Sequence, residues 1–167
     1  MGRYLLLAAL IVLAAVARVL PHPDNFTPLG AIALFVGATF SRTALLVPLA
    51  AMLVSDAVIG FHALVPVIYG CLALNVVMGR LIPRTVLGVG AATLAGSVFF
   101  FIITNFACWA MFDGHSSENL LTAYVDALPF FRNAVLGDAF YSTILFGGLA
   151  LAEFRFPTLR PAVLASY

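Results

Sequence analysis

Residues 86–112 read VLGVGAATLAGSVFFFIITNFACWAMF, an apolar run without a single charge. A membrane-crossing helix needs about 20 mostly apolar residues, with roughly 17–25 as the usual range. This run satisfies that length by itself, and it is too continuous for a barrel strand, whose apolar positions alternate. Its reading sets the class of the whole chain.

The same character extends on both sides. Of 167 residues, 63% are hydrophobic and 9% charged, against roughly 45–50% and about 25% in soluble domains. A soluble fold of this length must wet its own exterior and could not conceal so much apolar surface. The expected solvent is lipid, which excludes a cytosolic enzyme, a secreted disulfide domain and a disordered chain. A net charge of +1 without a basic stripe also excludes nucleic acid as a partner. Cys71 and Cys108 lie in apolar runs and read as small buried hydrophobes. His22, His62 and Asp24 offer at most a loose metal site, and no nucleophile elbow or phosphate loop occurs. Neither an enzyme nor a bound cofactor is expected.

Five further apolar runs flank the first, at 4–20, 26–40, 43–60, 64–81 and 133–152. Arg3 followed by Tyr4–Ala17 and Ala15-Val16-Ala17 has the outline of a signal peptide; we read it as the first membrane helix. The run 26–40 carries Gly30, Ala33 and Gly37 at helical spacing and fits a short crossing or a re-entrant helix. Segment 112–132 reads as a long outer loop, acting as a lid or lying as a helix on the surface. Gly88, Ala92 and Gly96 form a small-residue ridge suited to close helix contact. The expected fold is all-α, a single domain over 1–167, built as a six-transmembrane-helix bundle in the bacterial cytoplasmic membrane.

Arginine orients the bundle. With the N-terminus in the cytoplasm, Arg3, Arg42, Arg80, Arg84, Arg155 and Arg160 fall inside, leaving Arg18 and Arg132 outside. This is the positive-inside bias, and it places both termini in the cytoplasm. His22, Asp24, Asn25, Asp56, His62, Asn105, Trp109, Asp113, His115, Glu118, Asp126, Asn133, Asp138 and Tyr141 then belong to outer loops or outer helix halves. The polar chemistry faces outward.

Two carboxylates fall inside spans, Asp56 about one turn from the outer end of the third and Asp138 a similar distance inside the sixth. Each would cost roughly 2.5–3.5 kcal/mol unless it faces the interior with a partner. Arg18 and Arg132, the outer cations, are the expected partners. Such pairs either fasten loops to helix ends or contact a ligand. Stripes at helical spacing accompany them: Met52, Ser55, Asp56 and Gly60; Ser97, Phe101, Thr104, Asn105 and Cys108; Asp138, Tyr141 and Ser142. They suggest a shared cavity lined by Asp56, Asn105 and Asp138. Asn75 sits deeper and reads as packing glue between helices, while Trp109 also fits an interfacial anchor.

Four stretches carry a family resemblance: RVLPHPDNFTPLGAIALF from Arg18 to Phe35, Ser55-Asp56 with Gly60-Phe61-His62, Thr104-Asn105-Phe106 with Trp109, and LPFFRNAVLGDAFYS from Leu128 to Ser142. They resemble small bacterial membrane proteins of unknown function described as candidate transporters. That family is similar to the substrate-binding S-components of energy-coupling factor transporters. The resemblance implies an outer pocket for a small organic solute, loops that cover it, and a helix surface that docks on a transmembrane coupling subunit driven by ATPases. One departure stands out. The Ala-x-x-x-Ala docking motif of the S-component first helix has no counterpart, since Ala8 is followed by Val12, Ala9 by Leu13 and Ala14 by Arg18. The candidate solute-binding residues are Arg18, His22, Asn25, Asp56, His62, Asn105, Trp109, Arg132, Asn133, Asp138 and Tyr141. The rival reading is a structural or accessory subunit of a larger membrane complex.

Overall fold

The computed structural model describes residues 2–40, 46–112 and 117–156. Arg42, Asp113, His115 and Arg160 lie outside the described residues, as do the side chains of Arg3 and Glu118. Among the described residues there are helices and no strand: α1 (Gly2–Val19), α2 (Leu29–Thr39), α3 (Leu46–Ile59), α4 (Val65–Leu81), α5 (Val86–Phe112), α6 (Ser117–Asp126) and α7 (Leu128–Arg155). The described fold is all-helical. Helices α5 and α7 are long and apolar enough to cross a membrane, whereas Leu6–Val19, α2, α3 and α4 are apolar but shorter.

The last two elements correct the expected boundaries. Segment 112–132 is not one loop: it contains α6 and the first turn of α7. Helix α7 starts at Leu128 rather than Asn133 because Pro129 sits in its first turn, where a missing N–H costs nothing. Asp138 is therefore ten residues, about 15 Å at 1.5 Å per residue, from the start of α7 rather than one turn inside it.

Helix α2 is the centre of the fold. It is apolar all round, which demands burial on every side, and Leu29 and Ala31 to Gly37 are all buried. It packs against α1, α3, α4, α5 and α7. Leu10, Ile32, Val36, Met52, Leu72 and Val76 form the core around it. The α2–α4 crossing brings backbones together. A Cβ on Gly37 would meet the Val76 carbonyl, and one on Gly79 would meet the Leu34 carbonyl.

Outside this centre the surface is apolar. Only 22% and 17% of the apolar windows of α5 and α7 are buried inside the protein, which separates them from the core helices of a water-soluble domain. Val86 and Leu87 are 93% and 83% exposed. The bundle has two ends. One gathers the C-terminus of α1, the loop 20–28, the α3–α4 turn and the start of α7. The other carries Arg80, Arg84 and Arg155, with Arg84 Nη1 reaching Glu153 Oε1 at 3.3 Å to tie the α4–α5 turn to α7.

Candidate functional site

The loop end is organised by Arg18, in the last turn of α1, where a cation complements the helix dipole. Its Nη1 donates to Ser55 Oγ at 2.6 Å and pairs with Asp56 Oδ1 at 2.5 Å. From α4, the Tyr69 hydroxyl donates to Asp56 Oδ2 at 3.2 Å. Asp56 is fully buried, with both carboxylate oxygens engaged. Of the two outer arginines expected to partner the intramembrane carboxylates, Arg18 does so at Asp56, and the cluster joins α1, α3 and α4.

Asp138 has other partners than expected. Ser97 Oγ on α5 donates to its Oδ2 at 2.7 Å, and the Ala31 N–H donates to the carboxylate from the first turn of α2. Pro28, at the N-cap of α2, supplies no side-chain cap. A carboxylate from α7 thus satisfies an orphan N–H of α2. Gly30 makes room for it, since a Cβ there would meet the Asp138 carboxylate. Arg132 is exposed and takes no part in this cluster. Six residues of helix separate it from Asp138 by about 9 Å and roughly two-thirds of a turn, so the two lie on different faces.

Between these two clusters lies a cavity of about 110 Å³. Its polar wall is Arg18, Asn25, Thr27, Asn75 and Asp138, and its apolar wall includes Leu29, Met52, Ile68, Leu72, Phe100 and Ala134. The loop 20–28 closes over it. Asn25 adopts φ 62°, a left-handed conformation that asparagine tolerates. Asn133 Nδ2 donates to the Asp24 carbonyl at 3.0 Å. Phe26 rests on Gly137, with its ring centroid 6.0 Å from Phe140 and 5.9 Å from Tyr141.

Of the expected site residues, Arg18, Asn25 and Asp138 line this cavity. Asp56 stands behind Arg18, and Asn133 and Tyr141 secure the covering loop. The rest are elsewhere. His22 Nδ1 is 2.7 Å from the Leu20 carbonyl, and His62 is exposed in the α3–α4 turn. Asn105 turns back on its own helix, donating to the Phe101 carbonyl at 2.7 Å, so the expected cavity of Asp56, Asn105 and Asp138 is replaced by a different set. Trp109 packs beside Phe106 at 5.4 Å.

Thr27 was not singled out in the sequence, and Asn75, read there as packing glue between helices, lines the cavity. Asn75 shares a face of α4 with Leu72, Val76 and Gly79, all buried, and a lone amide on the most apolar face was the available signal. Its seat is Gly96, where a Cβ would meet the Asn75 amide oxygen.

A second concavity of about 420 Å³ runs along α5 and α7 toward the arginine end, lined mainly by small and apolar side chains, with Arg84 and Glu153 among its residues.

Residues 1–159 match the family of unknown function DUF6580. The chain belongs to that family. No curated protein and no solved structure matches it. The DUF6580 match takes in every residue of the cavity, the Arg18–Asp56–Tyr69 cluster and the α5–α7 groove.

Proposed function

We propose that this DUF6580 protein is an integral protein of the bacterial cytoplasmic membrane that binds a compact solute for import, in the manner of an S-component. In this reading α1 to α5 and α7 are six spans, with both termini inside and the loop end facing out. The observation that carries it is the convergence of Arg18, Asn25, Thr27, Asn75 and Asp138, from three helices and a loop, on one cavity with an apolar opposite wall. A few placed polar groups in an otherwise apolar concavity are the usual make-up of a small-molecule site. At about 110 Å³ the cavity is small, well below the usual ~300–1,000 Å³ of drug-sized sites, so the solute is compact.

Native mass spectrometry of gently extracted protein tests the reading. Wild type is expected to carry a small molecule that Asp138→Asn, extracted in folded form, does not retain. Added back, that molecule should raise the thermal unfolding temperature of wild type by mass action and leave the variant's unchanged. Equal stabilisation of both would remove Asp138 from the binding site. The α5–α7 groove favours the second reading, an accessory subunit of a larger membrane complex; the same spectra would then show a protein partner and no small molecule.

The orientation has its own expected result. A cysteine replacing His62 at the loop end should react in whole cells with a membrane-impermeant thiol reagent. One replacing Arg155 should react only with a permeant reagent. The basis is the arginine asymmetry, and the opposite pattern would turn the cavity toward the cytoplasm.

A further inference from the structure

Two observations at the cavity remain unused by the fold. The first is Asn75. It is only 6% exposed, it lines the cavity, and among the described residues its side chain makes no hydrogen bond to the protein. Buried side-chain amides almost always have a partner, and an amide can donate twice and accept twice. Elsewhere in the interior this rule is kept: Ser55, Asp56 and Ser97 are all bonded. No fully buried side-chain nitrogen or oxygen lacks a partner among the described residues, so the unbonded Asn75 amide is one that the cavity reaches.

The second observation is the balance of charge. Arg18 is committed to Asp56, leaving Asp138 as the second carboxylate of the cavity region. No cationic side chain pairs with Asp138 among the described residues; its hydrogen bonds come from Ser97 and the Ala31 N–H. The N-terminus of α2 contributes the equivalent of about half a positive charge. The site is therefore short of positive charge, with a carboxylate and an unpartnered amide bordering the same small space.

We infer that the solute, on the binding reading above, is a compact cation with N–H donors, such as a small primary ammonium, held by Asp138 and Asn75. The charge pairs with the Asp138 carboxylate, and an N–H donates to the Asn75 carbonyl. Methylene groups lie against Leu72 and Phe100, on the apolar wall. Asn75 thus sets specificity, because a ligand lacking the donor would leave the amide buried and unpaired. Gly96 and Gly30 are the seats that let these two side chains lie against neighbouring backbones.

The test uses the full chain in detergent, with ethylammonium chloride, acetamide and sodium acetate as probes at equal concentration and matched ionic strength. Thermal unfolding is followed through the fluorescence of Trp109, the one tryptophan. Ethylammonium is expected to raise the unfolding temperature of wild type, while acetamide and acetate leave it unmoved. Asn75→Leu, close in volume but without the amide, should lose most of that shift. If Asn75→Leu does not extract as folded protein, Asn75→Ala removes the amide without adding bulk. Stabilisation by acetamide but not ethylammonium would overturn this inference and leave the binding reading standing. An ethylammonium shift of full size in an Asn75 variant would overturn the role of Asn75. No stabilisation of wild type by any probe, with no co-purifying molecule in the native spectra, would overturn both readings.

Discussion

Gly79→Ala and Gly37→Ala are each expected to destabilise the protein by about 1–2 kcal/mol net, and the double variant should lose more than either. The opposing terms can be weighed. Inside a helix, alanine is favoured over glycine by roughly 1 kcal/mol, so propensity alone would predict stabilisation. Against it stands overpacking, which costs about 1–3 kcal/mol and occasionally more. Here the obstacles are the Leu34 and Val76 carbonyls, backbone atoms that cannot turn aside as a flexible side chain would. Helices α2 and α4 would have to separate along the most buried crossing in the protein, so the steric term wins. Gly70→Ala and Gly148→Ala are the internal controls. Both glycines are helical and a Cβ on either meets nothing within 4 Å, so these variants should be neutral or up to about 1 kcal/mol more stable. Unfolding by titration with a denaturing detergent measures all four. Equal effects at Gly79 and Gly148 would mean that the close α2–α4 contact is absent.

This contrast also explains what could be read in advance. The helical class and most helix positions follow from the length of the apolar runs, because a 3.6-residue repeat and an apolar interior leave few alternatives. The run 86–112 coincides with α5. The start of α7 lies ahead of the apolar run 133–152 because its first turn holds Pro129, which is tolerated there and extends the helix into the segment 112–132. That it is Arg18 on Asp56 comes from the packing of α1 on α3; that an outer arginine would meet an intramembrane carboxylate was legible from charge scarcity. The partners of Asp138 were not, because one is a backbone N–H at the start of α2, and no side-chain pattern announces an open helix end reached from another helix. Asn105 and Asn75 exchange roles for a related reason. Both are asparagines in apolar runs, and only the packing of α4 against Gly96 aims one of them into the cavity while the other bonds its own helix.

The largest electrostatic effect is expected at the Arg18–Asp56 pair. Asp56→Ala should cost about 3–5 kcal/mol, the usual range for removing one partner of a buried pair. It strips Arg18 of its counter-charge and leaves the guanidinium at a site where the side chain is 15% exposed. Arg18→Ala should cost as much, since it leaves a carboxylate that is 0% exposed with the Tyr69 hydroxyl, at 3.2 Å, as its remaining side-chain donor among the described residues. Replacing both, as Arg18→Met with Asp56→Leu, is expected to cost less than either single change. No uncompensated charge then remains, and apolar side chains of similar volume often replace a buried pair without loss. Ser55 is not orphaned in any of these variants, because its hydroxyl also reaches the Ala51 and Met52 carbonyls at 3.0 Å. The unfolding free energy of the double variant, with those of wild type and the matching Arg18→Met and Asp56→Leu singles, completes a double-mutant cycle. Strong coupling would identify the pair as the pin between α1 and α3. Additive losses would show that each residue is held by its other neighbours, and the pin would have to be sought in the apolar contact of those two helices. The double variant separates stability from recognition as well. It keeps Asp138 and Asn75 while removing the guanidinium from the cavity wall, so a folded double variant should still be stabilised by the ammonium probe.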